Sequence, residues 1–208
     1  MPMRTQISLV IALAVAFWIA ALWIHGTEVQ WAMLAPFGMT VGAVTAVAIF
    51  FEKIAWKWPL INGLLVRRPP LAGTWRTELR SSYPDKDGHP IRKTVYVVIQ
   101  QSLRTMSVRM YTDKARSFSI AESIRSSEVD DLFELAVVYQ NVPEIQHRQN
   151  TSDSRIHFGA LHLTDIPQHP ASIAGPYWTD RSTNGHLTLV ERKSAKVSSY
   201  ADGVALFS

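Results

Sequence analysis

The chain has 208 residues with a net charge of +4 and no cysteine, which excludes disulfides, thiolate catalysis and zinc or iron–sulfur sites built on cysteine. Most of the net charge belongs to residues 1–70, because residues 71–208 hold 16 Lys and Arg against 15 Asp and Glu. A nearly neutral C-terminal part is not the basic footprint of a protein that binds DNA or RNA polymers.

Two long apolar segments open the chain, over residues 7–24 and 31–51. With 18 and 21 residues, they would extend roughly 27 and 31 Å as helices, close to the ~30 Å hydrocarbon core of a bilayer. The sequence therefore predicts a two-helix transmembrane hairpin over residues 1–58. A cleaved signal peptide is the alternative for the first segment, but its 18 apolar residues are long for a leader, and no small-x-small cleavage pattern follows them.

The charges around these segments predict their orientation. The connection at residues 25–30 carries no Lys or Arg, whereas basic side chains flank both outer ends, namely Arg4, Lys53, Lys57, Arg67 and Arg68. By the positive-inside rule, both termini of this multi-pass anchor face the cytoplasm. Four tryptophans near the segment ends suit the headgroup level of a bilayer; they are Trp23, Trp31, Trp56 and Trp58.

Small side chains recur at four-residue spacing in both segments. Each series forms a narrow stripe, made of Ala12, Ala16 and Ala20 in the first segment and of Gly38, Gly42 and Ala46 in the second. Helices in lipid associate by close packing at such residues. We therefore expect the hairpin to contact membrane lipids as an anchor and to be the assembly surface of a homo-oligomer.

Residues 59–70 form a juxtamembrane linker, in which Pro59, Pro69 and Pro70 interrupt any long helix. Beyond this linker the pattern changes to short segments rich in Val, Ile, Thr, Tyr and Phe, which is typical of β-strands. Eight strands are predicted, over residues 75–83, 94–103, 106–112, 117–124, 132–141, 155–164, 173–180 and 185–192. The Asn184-Gly185 pair between the last two strands predicts that they form a hairpin.

The predicted fold of residues 71–208 is a small antiparallel eight-stranded β-barrel. No segment with helical periodicity separates the strands, so parallel βαβ units are not expected. Closing the sheet on itself removes its exposed edges, and a two-sheet sandwich is the alternative. An eight-stranded barrel is just wide enough to be filled by side chains or to hold one small ligand.

Motifs for catalysis or for a bound cofactor do not occur in the sequence. It has no His-Glu-x-x-His zinc motif, no P-loop, no Gly-x-Ser-x-Gly and no Gly-rich dinucleotide fingerprint. His157 and His162 are five positions apart on one predicted strand, so they point to opposite faces and cannot chelate a metal together. We therefore expect a protein that is not an enzyme and that has neither a metal nor a cofactor.

Four short motifs carry a family resemblance. They are Gly73-x-Trp75, Gln100-Gln-Ser102, Tyr139-x-Asn141-x-Pro143 and Gly175-Pro-Tyr-Trp-Thr-Asp-Arg-Ser-Thr-Asn-Gly185. Together with the hairpin, they resemble the SMODS-associated two-transmembrane, β-strand-rich effectors of bacterial CBASS anti-phage systems. The resemblance implies a barrel that binds a cyclic dinucleotide made by a partner nucleotidyltransferase. It further implies that the protein then oligomerises and disrupts the inner membrane, which causes abortive infection.

Such a ligand carries two phosphates and two flat bases, so its site needs cationic or hydroxyl donors together with aromatic rings. Alternate residues of a strand share a face, which places Tyr177, Thr179 and Arg181 on one side of the last hairpin. The predicted ligand-binding residues are Trp75, Tyr83, Gln101, Arg109, Ser117, Ser119, Tyr139, Tyr177, Thr179 and Arg181.

Two other functions stay open at this point. A membrane-tethered, calycin-like barrel could carry a lipid or another apolar ligand, which an entirely apolar interior would favour. The barrel could also be a structural adaptor of a membrane complex. A neighbouring gene for a nucleotidyltransferase would favour the effector over both of these functions.

Overall fold

The computed structural model describes residues 11–12, 14–16, 18–20, 23–24, 31–62, 66–84, 88–127, 129–145 and 156–208. The chain divides into two compact units, Met1–Lys53 and Ile54–Ser208. Every β-strand in the described residues belongs to the second unit.

The N-terminal unit contains the helix α1, Trp31–Lys53, which covers the second predicted membrane segment. The described residues between positions 11 and 24 are helical as well, while residues 1–10 and 25–30 of the predicted hairpin lie outside the described residues. Among the residues that the structure describes, no helix combines the length and the mean hydropathy that a membrane span needs. The transmembrane hairpin stays a prediction.

The C-terminal unit contains a closed antiparallel barrel, in which each strand pairs with the next and the last pairs with the first. The strands in this part of the chain are β1 (Gly73–Pro84), β2 (Pro90–Gln101), β3 (Met106–Tyr111), β4 (Ala115–Ser126), β5 (Phe133–Pro143), β6 (His157–Ile166), β7 (Ile173–Thr179) and β8 (Asn184–Lys193). The predicted eight-stranded barrel is confirmed, and the sandwich alternative is wrong.

The predicted hairpin between the last two strands is confirmed, since β7 pairs with β8, but Asn184 and Gly185 begin β8 and the turn lies at residues 180–183. Gly185 meets a different requirement. A Cβ at this position would overlap the carbonyl oxygen of Arg80 on β1 and would lie 2.7 Å from Cε1 of Tyr177 on β7. The close approach of the two neighbouring strands, and not a turn, therefore requires the glycine.

Alternating side chains of the strands fill the barrel with an apolar core. On β2, for example, Val95, Val97 and Ile99 are buried. The end of the barrel where β1 begins is called the tryptophan end here, because it is closed by Trp75. The indole Nε1 of this residue donates to the carbonyl oxygen of Leu71 at 2.9 Å.

Gln101 fixes the segment that crosses the tryptophan end. Its Oε1 accepts from the backbone N–H of Leu71 at 2.7 Å, and its Nε2 donates to the carbonyl oxygen of Pro69 at 3.0 Å. Because Gln101 and Leu71 are both buried, these hydrogen bonds satisfy polar groups that have little access to water. The chain itself therefore plugs this end of the barrel.

A C-terminal helix, α2 (Tyr200–Phe207), covers the outer face of β2. Gly203 lies directly against the ring of Tyr96, and the ring of Phe207 stacks on the same ring with 5.7 Å between the centroids. Tyr96 is consequently buried although it does not point into the barrel. The sequence pattern does not predict this helix.

Candidate functional site

Two tyrosines point into the barrel near the end opposite Trp75, which is called the tyrosine end here. Tyr139 of β5 lies beside Gly159 of β6, where a Cβ would be 2.5 Å from the tyrosine Cζ atom. Tyr177 of β7 lies beside Gly185 of β8 in the same way. The rings occupy the room that the glycines leave, and they are only 8% and 7% exposed.

Polar side chains accompany the two rings on the inner face of the barrel. Asn141 of β5 donates through Nδ2 to the hydroxyl oxygen of Ser117 on β4 at 2.9 Å. Ser81 of β1 is hydrogen-bonded to the phenol of Tyr177. All four residues are buried. The tyrosine end therefore presents hydroxyl and amide groups, whereas the interior nearer Trp75 is mostly apolar, with the buried Thr77 as an exception.

Both phenols keep their protons at neutral pH. Burial raises the pKa of Tyr139 well above its ordinary value, and the neighbouring Tyr177 and Asp180 raise it further. Burial also raises the pKa of Tyr177, and the hydrogen bond with Ser81 offsets only part of that effect. A phenol that retains its proton can donate a hydrogen bond to an anionic oxygen.

The space below the tyrosine rings is small. A cavity of about 20 Å³ lies inside the barrel, lined by apolar side chains together with Ser117 and Tyr139. Such a volume holds about one water molecule. A larger ligand does not fit into this cavity.

The turn between β7 and β8 forms part of the rim of the tyrosine end. The hydroxyl of Thr179 lies 2.6 Å from that of Thr183 and accepts from the backbone N–H of Arg181 at 3.2 Å. Asp180 ties the turn to β6, since its N–H donates to the carbonyl oxygen of Phe158 at 3.0 Å and its carboxylate accepts from the N–H of Phe158 at 3.1 Å. These bonds fix the backbone that carries the half-buried Arg181.

Six of the ten predicted ligand-binding residues lie at the tyrosine end. They are Tyr83, Ser117, Tyr139, Tyr177, Thr179 and Arg181. Ser119 is paired with Tyr139, but its hydroxyl accepts from the N–H of Val108 at 2.9 Å and donates to Glu122. Ser119 thus links β3 to β4.

The other three predicted residues lie elsewhere in the barrel. Trp75 and Gln101 form the plug of the tryptophan end, and Arg109 is exposed on the outer face of β3. Trp75 and Tyr83 share a face of β1, but eight residues of strand separate them by roughly 26 Å. A shared face therefore does not place two side chains in one site.

Four residues of the tyrosine end are absent from the predicted set, namely Ser81, Asn141, Gly159 and Gly185. Asn141 follows Tyr139 by two positions, so strand alternation alone places it on the same face. An isolated glycine within a strand, as at Gly159, indicates a close approach. Alternation also places Ser81 on the face of β1 that Trp75 and Tyr83 share, but its contact with Tyr177 across β8 depends on the missing side chain of Gly185.

The histidines of β6 do not form a metal site with their neighbours. In the described residues, no group of three or more His, Asp or Glu side chains could hold a metal ion. His162 lies 3.5 Å from the carboxylate of Glu134, and His157 pairs in register with Asn141. The expected lack of a metal, a cofactor and catalytic activity stays a prediction.

Comparison with known proteins gives a family and a relative. A family model described as "Cap15, cyclic dinucleotide receptor domain" matches residues 66–191, which include β1 to β7 and most of β8. "CD-NTase-associated protein 15" of Staphylococcus schleiferi is 24% identical over 168 residues, which make up 80% of this chain and 83% of the relative. The region matched by the family model contains both inward tyrosines and the β7–β8 turn.

Proposed function

Because the chain belongs to the family of Cap15 cyclic dinucleotide receptor domains, we propose that it is a membrane-anchored effector of a bacterial CBASS anti-phage system. Its barrel binds a cyclic dinucleotide that a partner nucleotidyltransferase makes. The N-terminal hairpin holds the protein in the inner membrane with both termini in the cytoplasm. Ligand binding makes the protein oligomerise and disrupt that membrane, which causes abortive infection. The protein acts as a receptor and not as an enzyme.

The observation that carries this proposal is the polar tyrosine end of a barrel whose other end is plugged. A cyclic dinucleotide needs donors for its phosphates and flat surfaces for its bases. The protonated phenols of Tyr139 and Tyr177 offer both a donor and a ring. Arg181 adds a guanidinium group in the turn beside them, which can make charge-assisted hydrogen bonds to a phosphate.

The packing of the core supports a site at the rim. The internal cavity of about 20 Å³ is far below the several hundred cubic ångströms typical of small-molecule sites. The ligand therefore lies above the rings of Tyr139 and Tyr177, in contact with Thr179, Arg181 and the exposed Tyr83.

The same observations argue against a carrier of lipids. An acyl chain needs a long apolar cavity, but the interior near the tyrosine end contains Ser81, Ser117 and Asn141. Apolar side chains fill the remaining interior, from Trp75 at the tryptophan end to the two tyrosines at the tyrosine end. A rim site for a polar, anionic ligand suits this barrel better than an internal apolar site.

Titration calorimetry of the full-length protein in lipid nanodiscs, against a panel of cyclic dinucleotides, tests the proposal. We expect saturable binding of at least one of them. Arg181→Ala should weaken it roughly ten- to a hundredfold, because a hydrogen bond to a charged group contributes about 1.5–3 kcal/mol. Arg109→Ala is the matched control, since Arg109 is exposed on the outer face of β3. This variant should bind the nucleotide with the affinity of the parent. Absence of heat with every nucleotide would contradict the receptor assignment.

A further inference from the structure

Lys93 places a cation on the inner face of the barrel. It pairs in register with Leu79 of β1, and directly paired residues of antiparallel strands share a face. Leu79 belongs to the buried core, so Lys93 projects from the inner face as well. Ser81, the partner of Tyr177, follows Leu79 by two positions on β1. Lys93 therefore lies at the tyrosine end.

Asp113 already neutralises this cation. Its Oδ1 lies 3.0 Å from Nζ of Lys93, and it belongs to the turn between β3 and β4. The hydroxyl of Thr112 orders that turn by accepting from the N–H groups of Ala115 at 2.9 Å and Lys114 at 3.3 Å. The carboxylate is thus held at a defined position beside an inward-facing ammonium group.

The ion pair is weak enough to be exchanged. Its side chains are 33% and 47% exposed, and ion pairs with such access to solvent contribute little to stability. Partial burial acts to raise the pKa of Asp113, but the hydrogen bond with Lys93 and the charges of Lys93 and Lys114 outweigh it, so this pKa lies below its ordinary value. At neutral pH, Asp113 is a full anion in the place where a ligand phosphate would bind.

We infer that Lys93 binds a phosphate group of the ligand, and that Asp113 is an internal anion which occupies Lys93 until that phosphate displaces it. The inference rests on the proposed function and adds a binding residue and a competing residue to the same site. Because every anion has to replace the carboxylate, a small anion with a single contact binds about two- to fivefold more weakly than it would to an unpaired lysine. A ligand that also contacts the tyrosines and Arg181 can replace it, and its binding releases the β3–β4 turn from β2.

Calorimetry on the full-length protein in nanodiscs, with the cyclic dinucleotide that the parent binds, tests the exchange. Asp113→Asn should tighten binding about two- to fivefold, since an exposed ion pair contributes about 0.2–1 kcal/mol. Lys93→Met should weaken binding about tenfold, because a charge-assisted contact to phosphate is lost. Thermal unfolding of both variants shows that the barrel is intact.

A double variant separates displacement from simple charge repulsion. If Asp113 acts by occupying Lys93, then Asp113→Asn should give little or no gain in a Lys93→Met background. Asp131→Asn is the matched control for the carboxylate, because Asp131 pairs with Arg67 at 2.7 Å in the turn at the other end of the barrel. Lys196→Met, beyond the end of β8, is the control for the lysine. Both controls should bind like the parent.

The results separate a failure of the inference from a failure of the proposed function. An Asp113→Asn variant that binds no more tightly than the parent overturns the inference, and so does a gain that persists undiminished without Lys93. A Lys93→Met variant with parental affinity overturns it as well. If the parent binds no cyclic dinucleotide, the proposed function fails and the inference falls with it.

Discussion

Tyr139 and Tyr177 keep their protons in a site that we assign to an anionic ligand. An ionised phenol would repel a phosphate, whereas a neutral phenol donates a hydrogen bond to it. Burial in the barrel secures the neutral form, because desolvation penalises the phenolate. The packing that raises the pKa values of both tyrosines thus also makes them suitable donors at neutral pH.

Tyr139 makes the stability of the barrel depend on pH in the alkaline range. Its pKa is higher in the folded barrel than the ordinary value of 10.0, so the stabilisation is fully present below about pH 10. Above that pH the unfolded chain releases the proton while the folded chain keeps it. The free energy of unfolding then falls by about 1.4 kcal/mol per pH unit for one such group. Urea unfolding from about pH 8 to about pH 11.5 measures this loss.

Tyr139→Phe isolates the contribution of this one phenol. Above about pH 10 the free energy of unfolding of the variant should fall less steeply than that of the parent, by about 1.4 kcal/mol per pH unit, the contribution of one titrating group. Tyr177 and Tyr96, whose pKa values are also raised, account for the slope that remains. A variant that loses stability as steeply as the parent would show that Tyr139 titrates normally in the folded barrel.

At the scale of strands, the pairing of β5 with β6 depends on Gly159. A Cβ there would lie 2.5 Å from Cζ of Tyr139 and 2.7 Å from the carbonyl oxygen of Trp178 on β7. Gly159→Ala should therefore lower the free energy of unfolding by about 1–3 kcal/mol, the usual cost of overpacking, and should weaken ligand binding by moving the ring. Chemical denaturation together with calorimetry measures both effects.

The control for this substitution lies in α1. A Cβ at Gly42 would meet nothing within 4 Å in the described structure, so Gly42→Ala should not lower the free energy of unfolding, since Ala favours a helix over Gly, and should leave ligand affinity unchanged. Combining Gly159→Ala with Tyr139→Ala removes the ring that the new methyl group meets. The loss in the free energy of unfolding should then be smaller than the sum of the two single losses. If Gly159→Ala is as stable as the parent, the close packing of Tyr139 on β6 is not required.

Strand alternation predicts faces well, because it is a local property of the backbone. Composition and turn residues identify all eight strands, and alternation places Ser117, Tyr139 and Tyr177 on faces that the barrel turns inward. Local signals fail where a neighbouring strand decides the role of a residue. In the sequence, Gly185 looks like part of a hairpin turn. In the structure, a glycine is needed there because a Cβ would overlap the carbonyl oxygen of Arg80 on β1.

The whole barrel decides which end a side chain occupies. Trp75 and Gln101 belong to the short motifs that carry the family resemblance in the sequence, yet they plug the end opposite Tyr177. Their position depends on the lengths and the register of all the strands in the closed barrel, which no single segment of the sequence encodes. The contact of Ser81 with Tyr177 likewise needs three strands in register. The helix α2, with eight residues, is too short for its own pattern to be recognised and depends on packing against Tyr96.

At the scale of the whole molecule, the proposed assembly in the membrane after ligand binding can be tested on the N-terminal unit. Close packing between membrane helices needs small side chains, and Gly42 of α1 leaves open space within 4 Å in the described structure. If assembly in lipid uses the stripes that contain Ala16 and Gly42, then Gly42→Leu and Ala16→Leu should abolish ligand-triggered leakage of dye from cells. The affinity of the barrel for the nucleotide should not change. Val44→Leu adds bulk away from the stripe, because two residues turn a helix by about 200°, and it should leak like the parent. Leakage that is equal in all three variants and the parent would show that these stripes do not mediate assembly.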